Sequence, residues 1–149
     1  MAFIIDYDLE INAPLDTVWE VITDVARYSE WNKFTVACKS TLKPGDPIVM
    51  KVVLFGKPQP QTETIFTHVP KQSMSYGLDG GALKAIVSNR IHTVVALGPN
   101  RTHYRSHFEL SGWMMPLVRA LMKSRLQHGF RVMTDGIKAR AEKLQKARA

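Results

Sequence analysis

The middle of the chain, residues 34 to 111, consists of short runs rich in Val, Ile, Thr, Tyr and Phe that are separated by turn sequences. Runs of this length and composition are typical of β-strands. Turn sequences such as Lys43-Pro-Gly-Asp-Pro47 and Asp79-Gly-Gly81 leave short connections, which favour antiparallel pairing of consecutive strands. We therefore predict six strands in this part of the chain, near residues 34–41, 48–55, 60–69, 73–78, 86–97 and 102–111.

Another strand and two helical segments precede these strands, and one long helix follows them. Residues 3–12 alternate between apolar and polar side chains towards their end, which predicts a strand. Pro14 suits a first helical position, and the apolar residues after it recur at helical spacing, which predicts a helix. A short second helix or turn is predicted over Val25 to Glu30. The pattern is helical from about Met115 to Arg148, with one apolar stripe that runs from Met122 to Leu144. The predicted fold class is α+β, with a seven-stranded curved antiparallel sheet wrapped around a long C-terminal helix.

Length and composition limit the classes of protein to consider. A chain of 149 residues suits one domain. Cys38 is the only cysteine, which excludes an intramolecular disulfide and a cysteine-based zinc cluster and fits a reducing cytoplasm. The N-terminal sequence lacks the basic segment of a signal peptide, and no apolar run approaches the ~20 residues that cross a bilayer. We expect a soluble cytoplasmic protein with no cofactor and no metal.

The predicted architecture favours an internal apolar pocket. Side chains from a sheet and a single helix must fill all the space between them, and where they fall short an apolar cavity remains as a ligand site. The C-terminal segment is rich in methionine, which adapts to irregular gaps and to ligands: Met114, Met115, Met122 and Met133. The alternative is that these methionines are ordinary core residues.

The hairpin formed by the last two predicted strands has a register that can be derived from its loop. If Gly98 to Arg101 is the loop, the following pairs share one face: Leu97 with Thr102, Val95 with Tyr104, Thr93 with Ser106, Ile91 with Phe108, and Asn89 with Leu110. The other face then pairs Arg90 with Glu109 and His92 with His107, and opposite charges favour this register. A slip of one residue would reverse every side chain. We therefore predict that the mostly apolar face of the first list points inward.

Candidate site residues follow from these inward faces and from the expected cavity mouth. The predicted ligand-binding residues are Trp31, Tyr76, Asn89, Ile91, Thr93, Val95, Tyr104, Ser106, Phe108, Trp113, Leu117, Leu121 and Met122. Trp31 either packs on the core or edges the entrance, and Trp113 belongs either to an entrance rim or to a hydrophobic staple of the long helix. Tyr76 and Tyr104 are the catalytic candidates, because a tyrosine in an apolar cavity can donate a hydrogen bond to a ligand carbonyl. The alternative is that buried hydroxyls only hydrogen-bond one another or the backbone.

Motifs of established chemistries are absent from the sequence. His103 and His107 would stand about 13 Å apart along one strand, too far to share a metal ion. His92 and His107 are expected as a pair on the outer face with no third ligand. The sequence contains no G-x-S-x-G nucleophile motif and no glycine-rich phosphate loop.

The long helix carries most of the excess positive charge, and the chain has a net charge of +7. One interpretation is a solvated helix face. The other is contact with an anionic membrane surface, which would suit a lipid carrier. Nucleic acid is disfavoured as a partner because no nucleic-acid-binding motif accompanies the charge.

The opening of the chain resembles a known family. Ile11-Asn-Ala-Pro14, Val18-Trp19, Asp24 and Tyr28-Ser-Glu-Trp-Asn32 are similar to the first strand and two short helices of the polyketide cyclase/dehydrase family of the START/Bet v 1-like (SRPBCC) superfamily. The last strand, with its glycine at Gly112, and the C-terminal helix resemble the family as well. Lys33 departs from the family, in which a proline is common at this position.

The resemblance implies a helix-grip fold, with residues 1–149 as a single START/Bet v 1-like ligand-binding domain. It leaves three functions open. The chain would bind, transport or sequester a small hydrophobic molecule in an internal cavity, act as a cyclase or dehydratase on an aromatic or polyketide-like substrate, or serve as a membrane-associated lipid-binding accessory protein. The sequence identifies neither the ligand nor the oligomeric state.

Overall fold

The computed structural model describes residues 1–149, and its elements follow the predicted order. Seven strands and two α-helices are present, with a 3₁₀ helix at Val25–Glu30 between α1 and β2. They are β1 (Phe3–Ile11), α1 (Leu15–Thr23), β2 (Thr35–Ser40), β3 (Pro47–Val53), β4 (Pro58–Val69), β5 (Ser73–Gly77), β6 (Val87–Gly98), β7 (Arg101–Ser111) and α2 (Met115–Arg148). Neither α-helix combines the length and the apolarity that crossing a bilayer requires.

The strands form one antiparallel sheet in the order β1-β7-β6-β5-β4-β3-β2. Register shifts mark bulges in β2 between Thr35 and Ala37, in the β4–β5 pair between Ile65 and Thr67, and in the β6–β7 pair between Ala96 and Gly98. Bulges bend strands and increase their twist, so they help the sheet to curve around α2. The predicted α+β architecture is confirmed.

The C-terminal half of α2 is fixed against α1, β1 and the 3₁₀ helix. Its buried face includes Ile137 and Ala141, which are fully buried. Polar contacts tie the same half down, since Glu142 accepts a hydrogen bond from the backbone N–H of Asn12, and Arg140 pairs with Glu30. The first part of α2 lacks such contacts with α1 and lies over the open side of the curved sheet.

The predicted register of the β6–β7 hairpin is wrong by one residue. Arg90 pairs with Phe108 and His92 with Ser106, whereas the prediction placed Arg90 opposite Glu109 and His92 opposite His107. The cause is a bulge at Leu97, which inserts one residue next to the turn. The faces of β7 are as predicted, but every side chain of β6 up to Ala96 points to the opposite side. Arg90 and His92 therefore face the interior.

Candidate functional site

An internal cavity of about 260 Å³ lies between the sheet and the first half of α2. Most of its lining is apolar. The sheet contributes Met50, Val52, Phe108 and Leu110, and α2 contributes Val118, Met122, Leu126, Phe130 and Met133. Its volume lies slightly below the usual range of ligand pockets, roughly 300–1,000 Å³, which suits a small ligand.

One wall of the cavity depends on a close approach of Phe34 to α2. A side-chain carbon at Gly129 would lie 2.2 Å from the Phe34 ring, so only glycine allows the ring to lie against the helix here. The Phe34 ring packs edge-on against Phe130, at 5.1 Å between ring centroids. Both rings line the cavity, and their positions are therefore set by packing before any ligand enters.

Polar side chains line the cavity from β4, β5 and β6. Alternate residues of β4, Gln59, Gln61 and Glu63, point into it, and Tyr76 and Arg90 face it from the next two strands. Tyr76 and Arg90 are directly opposite each other in the β5–β6 ladder. A largely apolar pocket with a few converging polar groups is typical of a small-molecule site.

A buried hydrogen-bonded chain connects two tyrosines through a histidine. The Tyr76 hydroxyl lies 3.3 Å from Nε2 of His92, and the Tyr104 hydroxyl lies 2.6 Å from Nδ1 of the same ring. Burial, and secondarily the charge of Arg90, lower the pKa of His92 well below its ordinary value. Burial raises the pKa of both tyrosines, and Arg90 partly opposes that rise. The three hydrogen-bonded side chains are thus uncharged at neutral pH, and Tyr76 is the one of them that lines the cavity.

Arg90 is a buried cation with few partners. Only 2% of its surface is exposed. Nη1 donates a hydrogen bond to the Ser106 hydroxyl, Nη2 meets the Met133 sulfur at 3.4 Å, and the guanidinium lies over the Phe130 ring at 4.6 Å. Nε has no hydrogen-bond partner. None of the ion pairs of the structure includes Arg90.

Glu63 is the carboxylate of the cavity, and its environment raises its pKa above the ordinary value. Burial raises the pKa of Glu63, while a hydrogen bond from Gln61 and the charge of Arg90 act in the opposite direction. Burial also raises the pKa of the Cys38 thiol to about 12, which keeps that thiol protonated. Arg90 is the one cationic side chain among the lining residues.

Three of the predicted ligand-binding residues line the cavity: Tyr76, Phe108 and Met122. Tyr104 and Ser106 also point inward, where they hydrogen-bond to His92 and Arg90, but they do not line the cavity. Tyr104 is fully buried. Of the two tyrosines predicted as catalytic candidates, only Tyr76 can therefore touch a ligand directly.

Four predicted residues of β6 lie on the outer face of the sheet because of the bulge at Leu97. These are Asn89, Ile91, Thr93 and Val95, and Val95 is half exposed. They alternate with the residues that do point inward: Ser88, Arg90, His92 and Val94. Their predicted inward orientation is wrong, and they do not line the cavity.

The remaining predicted residues also lie outside the cavity lining. Trp31 packs edge-on against Tyr28 at 5.2 Å and against α2 at Gly136, three residues beyond Met133, and it does not line the cavity. Trp113, Leu117 and Leu121 are exposed at the start of α2. Trp113 donates a hydrogen bond from Nε1 to the carbonyl of Leu83, which joins the start of α2 to the loop between β5 and β6.

Sequence reasoning missed Arg90 and Glu63 as cavity residues and His92 as a buried residue of the interior. The charge pairing of Arg90 with Glu109 predicts the outer face for Arg90 and His92. One signal for the inward face is available in the sequence. If one extra residue is placed near the turn, the alternate residues Ser88, Arg90, His92 and Val94 fall on the same face of the sheet as Tyr104 and Phe108. No group of three or more His, Cys, Asp or Glu side chains is arranged to hold a metal ion.

Comparisons with known proteins agree with this geometry. The family model described as polyketide cyclase / dehydrase and lipid transport matches residues 3–142. No curated protein matches the chain in sequence.

Solved structures show the same fold at low sequence identity. The Zhui aromatase/cyclase from Streptomyces sp. R1128 superposes with a TM-score of 0.77 at 15% identity, covering 95% of this chain and 94% of that one. A START superfamily protein from Mycobacterium smegmatis gives 0.76 at 15% identity, with 95% and 98% covered. Norcoclaurine synthase from Thalictrum flavum, in complex with dopamine and hydroxybenzaldehyde, gives 0.69 at 16% identity, with 93% and 86% covered. At these identities the likeness establishes the fold alone.

Proposed function

Because the chain belongs to the polyketide cyclase/dehydrase and lipid transport family, we propose that it binds one small, mostly apolar molecule in the cavity beneath α2. The observation that carries this proposal is the cavity itself, which is apolar on its helix side and has converging polar groups on its sheet side. Apolar walls supply affinity by excluding ligand surface from water, and the few polar groups orient the ligand.

Native mass spectrometry of gently purified protein tests this proposal. We expect an excess mass that disappears after organic extraction, and the stripped protein should then take up decanol in a one-to-one complex. Decanol is a suitable probe because it has an apolar body and an uncharged head group. A protein that neither carries an extractable compound nor binds decanol would contradict the proposal.

Catalysis of the cyclase or dehydratase type is the second candidate, and the Tyr76–His92–Tyr104 chain favours it. When Nε2 of His92 carries the ring proton, it donates to the Tyr76 hydroxyl, whose own proton is then free for a ligand carbonyl. A hydrogen bond donated in this way stabilises the charge that develops on an enolate oxygen. Proton transfer by a positioned side chain typically contributes 10²- to 10⁴-fold to a rate.

Tyr76→Phe is therefore expected to lower turnover of a synthetic poly-β-ketone by about 10²-fold or more, measured by the absorbance of the aromatic product. Decanol affinity should stay unchanged. Tyr104→Phe should have a smaller effect because Tyr104 acts only through His92. The matched control is Tyr7→Phe, which removes a hydroxyl that donates to the backbone of Gln127 outside the cavity. Equal rates in the wild type and all three variants would exclude this candidate.

Contact with an anionic membrane is a third candidate, and it rests on the surface around the cavity mouth. Five exposed apolar side chains form what we call the rim: Phe55, Leu83, Trp113, Leu117 and Leu121. Leu54 and Val118, which are adjacent in the chain to Phe55 and Leu117, line the cavity, and so does Ile86, three residues after Leu83. The first twenty residues of α2, 115–134, contain four basic side chains and no acidic one. Exposed apolar groups beside cations are typical of surfaces that bind anionic lipid.

Flotation with phosphatidylserine-containing vesicles tests this membrane contact. We expect the protein to float with them and to be released by high salt, because salt screens the attraction to the lipid headgroups. The double variant Leu117→Ser/Leu121→Ser should reduce the floating fraction at least about tenfold, since each leucine loses apolar burial. Ile4→Ser, which alters an exposed apolar residue of β1, is the matched control. Flotation that depends on neither anionic lipid nor salt would exclude the contact.

A further inference from the structure

The guanidinium of Arg90 has one edge without an adequate acceptor. Nε has no partner, and Nη2, which lies on the same edge of a guanidinium as Nε, meets only the sulfur of Met133. A thioether is a weak acceptor, so this edge has lost its water without gaining a comparable bond. Nη1, on the other side of the group, is occupied by Ser106.

The surroundings of Arg90 do not compensate its charge. Tyr76, Tyr104 and His92 are buried and uncharged at neutral pH. Glu63 lines the same cavity but forms no ion pair with Arg90. Burial raises the pKa of Glu63, and the charge of Arg90 opposes that rise. A buried charge without a partner is strongly unfavourable. Such a charge is tolerated more readily where a ligand supplies the missing partner.

We propose that the free edge of Arg90 binds a carboxylate, so that the ligand of this cavity is an apolar molecule with a single carboxylate group. The Nε–Nη2 edge matches the two oxygens of a carboxylate in a bidentate arrangement. Arg90 and Met133 both line the cavity, and the flexible Met133 side chain can move aside for an entering carboxylate. Tyr76, opposite Arg90 on the neighbouring strand, lies where a second donor to the same carboxylate would be placed. This inference rests on the proposed binding function and specifies its ligand class.

Isothermal titration calorimetry with decanoate and decanol tests the carboxylate site, because the two probes differ only in the head group. We expect the wild type to bind decanoate at least about tenfold more tightly than decanol, because hydrogen bonds to an ionised carboxylate are stronger than hydrogen bonds to an uncharged hydroxyl. Arg90→Met should remove this preference, so that the two probes bind with equal affinity. Arg90→Lys should keep part of the preference for decanoate, because lysine retains the positive charge but lacks the two parallel N–H donors of the guanidinium. Arg131→Met, which removes an exposed cation of α2, is the control and should bind both probes as the wild type does.

The outcomes separate the carboxylate site from the binding function. Equal affinities for both probes in the wild type, or a preference that survives Arg90→Met, would overturn the site and leave the pocket intact. Failure of both probes to bind would overturn the pocket and the site together.

Urea unfolding gives an independent readout: Arg90→Met should unfold at an unchanged or higher urea concentration, because an apolar residue replaces an uncompensated charge. A clear fall in the midpoint would assign Arg90 to the support of the fold instead.

Discussion

Replacing Val118 by tryptophan is expected to abolish the binding of decanol and decanoate alike. Val118 lies on the side of α2 that lines the cavity, at the end near the rim. An indole at this position would occupy space that the ligand needs. Excluding roughly 100 Å² of apolar ligand surface costs about 2.5 kcal/mol, nearly a hundredfold in the dissociation constant.

The preceding residue of the same helix provides the control for this experiment. Leu117 is 53% exposed and points away from the cavity, so Leu117→Trp should bind both probes like the wild type. Circular dichroism should show the same helix content in both variants. If Val118→Trp binds as tightly as Leu117→Trp, the ligand does not enter the cavity beneath α2. The pattern also differs from that of Arg90→Met, which is expected to remove the preference for decanoate over decanol.

Gly112→Ala is expected to lower the free energy of unfolding by about 2–4 kcal/mol, through backbone strain of about 1–3 kcal/mol and the loss of a turn hydrogen bond. Gly112 joins β7 to α2 with φ +101°, a conformation that favours glycine. An added side-chain carbon would lie 2.3 Å from the carbonyl oxygen of Ala85. That oxygen accepts a hydrogen bond from the N–H of Met114, so relief of the clash would disturb the start of α2.

Urea unfolding followed by tryptophan fluorescence measures this loss, and Gly98→Ala is the matched control. A side-chain carbon at Gly98 would meet nothing within 4 Å, and Gly98 is not among the residues with positive φ. We expect its effect to stay within about 0.5 kcal/mol, as for most surface substitutions. Equal stability of the two variants would show that the turn at Gly112 adapts without cost. Because α2 covers the cavity, Gly112→Ala should also weaken decanol binding.

Most of the architecture could be predicted because it depends on local signals. The short β-rich runs, the turn sequences between them and the apolar stripe of the last helix each require only neighbouring residues. Pro14 marks the start of the first α-helix in the sequence, and the structure places a helix directly after it. The second α-helix begins three residues after Gly112, the glycine that the family resemblance singles out. The face of β7 that carries Tyr104 and Phe108 was predicted by the same alternation.

The polar side of the candidate site could not be predicted in this way. A single bulge at Leu97 reverses the faces of β6, and a bulge of one residue leaves no reliable mark on composition or periodicity. The apparent charge pairing of Arg90 with Glu109 supported the wrong register. Cross-strand pairs of this kind contribute roughly 0.2–1 kcal/mol, too little to decide between two faces when one of them is buried against a helix.

The sequence by itself determined the α+β class, the element order and the presence of an apolar interior, because these follow from periodicity and turn chemistry within short segments. The tertiary structure alone decided that Arg90 and His92 point inward, that Tyr104 hydrogen-bonds His92, and that neither Tyr104 nor Trp31 lines the cavity. Those positions depend on contacts between residues far apart in the chain, such as Arg90 with Phe130 and Met133. Their combined packing outweighs the ordinary preference of an arginine for water, and no local pattern encodes that balance.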